Sequence, residues 1–371
     1  MTDTTTAGAS SSRSQAPKFL VIRRDNIGDL VCTTPLLRLL RQHYPHARIH
    51  VLVNTYNRAV LDGHPDVDAV HAYAKTKHGA GISALGRRLR LIVDLYRERI
   101  DYAILAGSAT SRHALNFARW VRPRHIIGYV ESDKRNGLID LPVQPGSHSS
   151  EHEVEAVCRL LVPLGIAGSP PPTRIYPTAV AMEDARRKLN EHRRLWTGPL
   201  VGIHISTRKP ANRWPDEKYI ELIRRLHNAY DMSFLLLWAP GDGANPRHPG
   251  DDASAATIRL ALPDVRLIAY PMGPLEQLIA DLSLCDWVVT SDGGAMHIAA
   301  ALGKPILCFF GETDAAHWHP WAVPHVLLQP SSHQAADIGV DDAVDGFGRL
   351  LDSIGTSSVM RACGATIAHN S

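Results

Sequence analysis

Short apolar runs rich in β-branched residues alternate with longer stretches of helical spacing along most of the chain. In the first half, Phe19–Arg23, Ile49–Val53, Ala69–Tyr73, Tyr102–Ala106 and His125–Val130 read as strands. Helices are predicted over Pro35–His43, Ala84–Ile100, Arg112–Val121 and Glu151–Leu164. In the second of these, Leu85, Leu89, Ile92, Val93 and Tyr96 share one face. The pattern then restarts. Leu200–Ile205, Phe234–Trp238, Val265–Ala269, Trp287–Thr290 and Ile306–Phe310 read as strands. Helices are expected over Asp216–Ala229, Ala253–Leu262, Leu275–Cys285, Gly294–Leu302 and Asp341–Ile354, and a Gly/Pro/Asp-rich loop over Gly241–Asp252.

Near-continuous apolar strands alternating with helices predict parallel sheets covered on both faces. Pro170-Pro171-Pro172 marks a break between the two series. The expected organisation is a tail (1–16), an N-terminal Rossmann-like domain (17–168), a linker (169–178), a C-terminal Rossmann-like domain (179–354) and a second tail (355–371). Two α/β domains in tandem face each other across a cleft. Ligands of open parallel sheets sit beyond the carboxyl ends of the strands, so the residues that follow strands become the candidates.

Composition narrows the reading modestly. The 371 residues are 44% apolar and 21% charged, enough material for two cores. A net charge of +3 gives no ground for a nucleic-acid partner. No run approaches the roughly 18 apolar residues of a membrane span. Met1–Gln15 is Ser/Thr/Ala-rich without an apolar centre, unlike a secretory signal. The five cysteines are scattered without zinc-ligand spacing and are expected as buried free thiols, which fits a cytoplasmic setting.

Three strand ends carry candidate chemistry. Ser291-Asp292-Gly293-Gly294-Ala295-Met296-His297 joins a strand to a small-residue helix. Glycines let a ligand approach the backbone, and the first helical N–H groups with the positive dipole end favour an anion. Asp292 either caps that helix or bonds a ligand hydroxyl. The stretch Arg23-Arg24-Asp25-Asn26-Ile27-Gly28-Asp29-Leu30 follows the first strand. With one glycine it is neither a dinucleotide fingerprint nor a phosphate-binding P-loop. Asp29 is either a helix cap or a general base. After the first strand of the second half, Thr207, Arg208, Lys209 and Arg213 gather charge suited to a diphosphate. Asp66-Val67-Asp68 is read as incidental. Asp314, His317 and His319 lack metal-ligand spacing, so no metal is expected.

These segments resemble glycosyltransferase family 9, the ADP-heptose:lipopolysaccharide heptosyltransferases. The resemblance is carried by FLVIRRDNIGDLVCTTPLLRLL (Phe19–Leu40), HEVEAVCRLLVPLG from His152, RWPDEKYIELIRRL from Arg213, and TSDGGAMHIAAALGKPILCFFGETDAAHWHPW (Thr290–Trp321). It implies a GT-B fold and an inverting transfer of heptose from ADP-heptose to a lipopolysaccharide inner-core acceptor. By position, Asp29 matches the family's proposed base, with Arg24, Asn26 and Gly28 on the acceptor side. Donor contacts are expected from Thr207, Arg208, Lys209, Arg213, Asp292, Gly293, Gly294, Met296 and His297. Asp242 is the nearest candidate for a ribose contact. One position departs from the pattern: Asn212 stands where many members carry lysine. The implied partners are an ADP-sugar and a lipopolysaccharide core or lipid-linked glycan, with peripheral contact at the cytoplasmic face of the inner membrane. The cationic stretch Arg87–Arg90 with Arg97 and Arg99 suits such a surface, or a solvated helix face. The nucleotide-sugar is a substrate, and no cofactor is expected. Two rivals remain, a dinucleotide-dependent enzyme such as an epimerase and a non-catalytic nucleotide-binding module. The missing glycine fingerprint weighs against the first, and Asp29 in its Gly-Asp context against the second.

Overall fold

The computed structural model describes residues 16–73, 82–107, 111–130, 137–146, 151–192, 198–243 and 250–355. The expected tails lie outside these residues, except for Ala16 and Gly355. The first sheet comprises β1 (Lys18–Ile22), β2 (Arg48–Asn54), β3 (Ala69–Tyr73), β4 (Tyr102–Leu105), β5 (His125–Tyr129) and β6 (Leu141–Val143). Its order is β3-β2-β1-β4-β5-β6. The second comprises β7 (Leu200–His204), β8 (Ser233–Trp238), β9 (Leu267–Pro271), β10 (Trp287–Ser291), β11 (Ile306–Phe309) and β12 (His325–Leu328), ordered β12-β11-β10-β7-β8-β9. Every pairing is parallel. Each half therefore has the doubly wound order, with its switch point between β1 and β4 or between β7 and β10.

Helices cover both faces. In the first half these are α1 (Ile27–His43), α2 (Ile82–Arg97), α3 (Arg112–Val121) and α4 (Glu153–Arg159). The second half holds α5 (Ala179–Glu191), α6 (Asp216–Ala229), α7 (Asp252–Ala261), α8 (Leu275–Ser283), α9 (Gly294–Ala301), the short α10 (Ala315–Trp318) and α11 (Val340–Ser353). One apolar cluster runs from β1, β2 and α1 through α4 into α9 and β10, so the two halves share a core. A second cluster lies under α2 and α3, and a third under α6, α7 and α11.

The halves meet at two glycines. A Cβ on Gly28 would lie 2.5 Å from His297 Cδ2, and one on Gly294 would lie 3.3 Å from Ile27 Cβ. The starts of α1 and α9 are thus pressed together, and no other residue fits at Gly28 without a shift.

Several elements differ from the sequence expectation. Helix α1 begins at Ile27, not at Pro35, which lies inside it. An interior proline removes one backbone donor and strands the carbonyl four residues earlier. Here the Thr34 hydroxyl donates to the Val31 carbonyl at 2.8 Å, which satisfies that group. The helix expected to Leu164 stops at Arg159 and continues as a 3-10 turn, Val162–Leu164. Pro163 cannot donate to the Arg159 carbonyl, and Gly165 closes the turn at φ 74°. Strands β6 and β12 and helix α5 were not anticipated. The first two are edge strands of three and four residues, too short for a periodicity. Cys32, Cys158, Cys285 and Cys308 are buried free thiols, as expected; Cys363 lies outside the described residues.

Asp66 and Asp68 have structural uses. Asp66 pairs with Arg38, and Asp68 accepts the Ile49 N–H and pairs with Arg41. Among the described residues, no helix is long and apolar enough to cross a membrane. Nor do any three His, Cys, Asp or Glu side chains there form a metal-binding group.

Candidate active site

The loop after β1 is held from three sides. Asn54 and Asn57 donate to its carbonyls, and the Tyr56 hydroxyl donates to the Asp25 carbonyl. Burial, then the nearby charges of Asp29 and Asp25, push the Tyr56 hydroxyl up to about 12. Arg24 lies over the Tyr73 ring, 4.4 Å from its centroid. Asn26 caps α1, and its backbone N–H donates to Asp29 Oδ2 at 3.0 Å. Asp29 therefore does serve its helix end, with one oxygen.

The other oxygen of Asp29 meets a buried cation. Arg23, only 2% exposed, donates from Nη2 to Asp29 Oδ1 at 2.7 Å and to Glu153 Oε1 at 2.7 Å. Its Nη1 donates to the Ala106 carbonyl, and its Nε lies 3.4 Å from Asp25. Burial alone would lower the Arg23 pKa, but Glu153, Asp29 and Asp25 together raise it. Glu153 opens α4 and is fully buried. Its second oxygen is 2.9 Å from His317 Nε2, in α10 of the other half. The sequence pointed to Asp29 but gave Arg23, Glu153 and His317 no role. The family-like segment beginning at His152 was the available signal for Glu153.

Across the cleft, the donor-side candidates separate into three groups. The first is a lattice around Asp292. Its Oδ2 accepts from Thr313 Oγ1 at 2.7 Å and Asn212 Nδ2 at 2.9 Å. Asn212 is fully buried, and its Oδ1 accepts the Gly311 N–H at 3.1 Å. Thr207 donates to the Asp292 carbonyl. Asp292 thus does not cap α9, because its side chain is turned to this lattice. The cap is Gly293, at φ +158°, a backbone that residues with side chains rarely adopt.

The second group holds the cations. Arg208 and Lys209 are exposed. Lys209 reaches Glu312 at 3.5 Å. Arg213 pairs with buried Asp251 at 2.9 Å, and Ser206 donates to the same carboxylate at 2.5 Å. Arg213 is therefore engaged in anchoring the segment that follows the β8 loop. Asp242, in that loop, is exposed, and its carbonyl accepts the Gly250 N–H.

The third group lies in packing. Met296 and His297 were placed among donor contacts, and Gly28 among acceptor contacts, but all three are buried in packing. His297 Nδ1 is 3.7 Å from Cys32 Sγ, its ring stands edge-on to Trp318, and Gly28 lies against it. Burial holds its pKa below the ordinary histidine value, against the pull of Asp292 and Asp29. The α9 start can still offer the backbone N–H groups of Gly294, Ala295 and Met296, which an α-helix leaves without partners. The Asp314 side chain caps α10.

Comparison with known proteins agrees with this geometry. A lipopolysaccharide heptosyltransferase 2 from Escherichia coli strain K12 is 25% identical over 364 residues, covering 94% of this chain and 98% of the relative. A family 9 glycosyltransferase from Veillonella parvula superposes with a TM-score of 0.76 at 16% identity, covering 91% of this chain and 99% of its own. An E. coli heptosyltransferase solved with ADP superposes with a TM-score of 0.70 at 18% identity, over 90% and 99% of the two chains. These likenesses give the fold, GT-B. The family model described as glycosyltransferase family 9 (heptosyltransferase) matches residues 88–342, most of the chain. The chain belongs to that family and is a glycosyltransferase.

Proposed function

We propose that the protein moves a heptose from ADP-heptose to a lipopolysaccharide inner-core acceptor, inverting the anomeric centre, with Asp29 as general base. The observation that carries this reading is the opposition of the two helix starts. Asp29 opens α1 on one side, and the Gly293-Gly294 turn opens α9 on the other, in contact through Gly28 and Gly294. The acceptor oxygen attacks the anomeric carbon from the face opposite the diphosphate and gives its proton to Asp29. The bond to the diphosphate breaks, and its electron pair leaves with ADP. Arg208 and Lys209, with the first N–H groups of α9, meet that developing charge. Relatives named as lipopolysaccharide heptosyltransferases support the sugar and acceptor classes.

A second donor remains a competing reading because of Asn212. It is buried in the lattice and brings no charge to the diphosphate. Peripheral membrane contact is supported by α2. Leu85, Leu89 and Tyr96 are exposed there beside Arg88, which lies 4.9 Å from the Trp120 ring centroid of α3. Apolar and cationic groups on one face suit an anionic lipid surface.

The test is a transfer assay with the native protein and a heptose-deficient core acceptor, offered ADP-heptose or UDP- and GDP-sugars. Product with ADP-heptose alone is expected. Turnover only with another nucleotide would replace the donor. Cosedimentation with anionic vesicles that survives Leu85→Asp with Leu89→Asp would remove α2 as the membrane contact.

A further inference from the structure

We infer that Glu153 and His317 are positioning residues that fix the reactive carboxylate of Asp29 from across the cleft. This inference rests on the reading of Asp29 as the base.

A single nitrogen, Arg23 Nη2, serves two carboxylates at 2.7 Å each, Asp29 and Glu153. The position of Glu153 therefore decides where the guanidinium sits, and the guanidinium decides where Asp29 Oδ1 sits. Glu153 is itself held from the opposite half. His317 Nε2 is 2.9 Å from Glu153 Oε2, and His317 Nδ1 is 2.6 Å from the Glu151 carbonyl. The imidazole is thus engaged at both ring nitrogens by the segment that opens α4. The result is a continuous chain of contacts, Asp29, Arg23, Glu153 and His317, that begins in one half and ends in the other.

Stability alone is a weak reason for such a chain. Ionised groups are costly to bury, and well-packed apolar residues often serve a core as well. The placement of His317 points to a role at the site. It stands on α10, which follows Thr313, and Thr313 is a hydrogen-bond donor to Asp292. One short segment thus touches the donor-side lattice at one end and the anchor of Glu153 at the other. A general base displaced by about an ångström loses on the order of a hundredfold in rate. Donor binding, on the far side of the cleft, needs none of this chain.

The experiment compares Asp29→Asn, Glu153→Gln, His317→Ala and the Glu153→Gln, His317→Ala double variant. Transfer is measured at saturating acceptor for kcat and donor KM, and ADP affinity is titrated separately. Glu153→Gln should lower kcat by about tenfold to a hundredfold and leave ADP affinity within about twofold. His317→Ala should cost less, about threefold to tenfold, with the same split. The double variant should be no slower than Glu153→Gln, because residues acting as one chain are not additive. An unchanged kcat in Glu153→Gln, with Asp29→Asn inactive, overturns the inference and leaves the base in place. Full activity in Asp29→Asn overturns the base reading itself. Losses that multiply in the double variant, or that fall on ADP affinity in place of kcat, also overturn the inference. If Glu153→Gln does not fold, His317→Ala decides: its side chain is partly exposed, and a normal kcat there refutes the link.

Discussion

Asp29 stands in a chain of opposite charges, whereas Asp292 stands in a lattice of neutral donors. Arg23 grips the first carboxylate; an amide from Asn212 and a hydroxyl from Thr313 hold the second. The cations follow the same division. On the β1 side the arginine is buried and paired with carboxylates, while on the β7 side Arg208 and Lys209 remain at the surface. The difference matches the two kinds of work proposed above. A proton acceptor must keep its place to within a fraction of an ångström. Charge leaving on a diphosphate can be met by long side chains that adjust as it departs. A lysine at position 212 would bring a cation to Asp292. Asparagine there leaves its charge without an ionic partner among these contacts.

The largest expected effect tests the first half of this contrast. Asp29→Asn should cut transfer by about 10²–10⁴-fold while ADP affinity stays nearly constant. Asparagine keeps the size and can still accept the Asn26 N–H, so the helix start survives. Asp25→Asn is the control, and if it is the inactive one the two aspartates exchange roles. On the other side, Arg208→Ala should weaken ADP binding by about tenfold to a hundredfold, the weight of one charge-assisted contact. Isothermal titration would show it. An unaffected Arg208→Ala with an impaired Lys209→Ala would move the contact by one residue.

A third effect spans both halves. Burial pushes His152 down to about 3 and His204 down to about 4. Both rings are neutral in the fold, while in the unfolded chain they take up protons near pH 6.5. Stability is therefore complete above about pH 6.5 and falls as the pH drops toward the folded values. The slope is at most on the order of 1 kcal/mol per pH unit for each histidine. Urea unfolding at pH 7 and pH 5 would measure it, and equal midpoints would rule it out.

The sequence exposed the features that local patterns encode. Ten of the strands stand out as apolar runs, and the Gly293-Gly294 turn and the Asp29 loop follow two of them directly. What stayed hidden depends on contacts distant along the chain. Arg23 and Glu153 are separated by 130 positions, and neither carries a periodicity that points to the other. Met296 and His297 looked like ligand contacts because they open a helix at a glycine turn. That helix is packed between α1 of the other half and α8, β10 and β11 of its own, so the side chains of Met296 and His297 are buried. Pro35 looked like a helix start because proline suits a first turn. The Thr34 hydroxyl bonds the carbonyl that proline strands, and the helix runs through it.

The shared strand order of the two halves has a consequence for how such a molecule can change. Each half has its own switch point and, on the function proposed above, its own part of the site, so each can be treated as a cassette. On the donor site proposed above, a chimera carrying a foreign second half would inherit that half's nucleotide preference with its β7 loop and α9 turn. The seam is what constrains the exchange. The incoming half must present a flat ring where His297 meets Gly28, and a donor where His317 meets Glu153. Compatibility between exchanged halves is thus set by these junction residues together with the apolar core that the halves share.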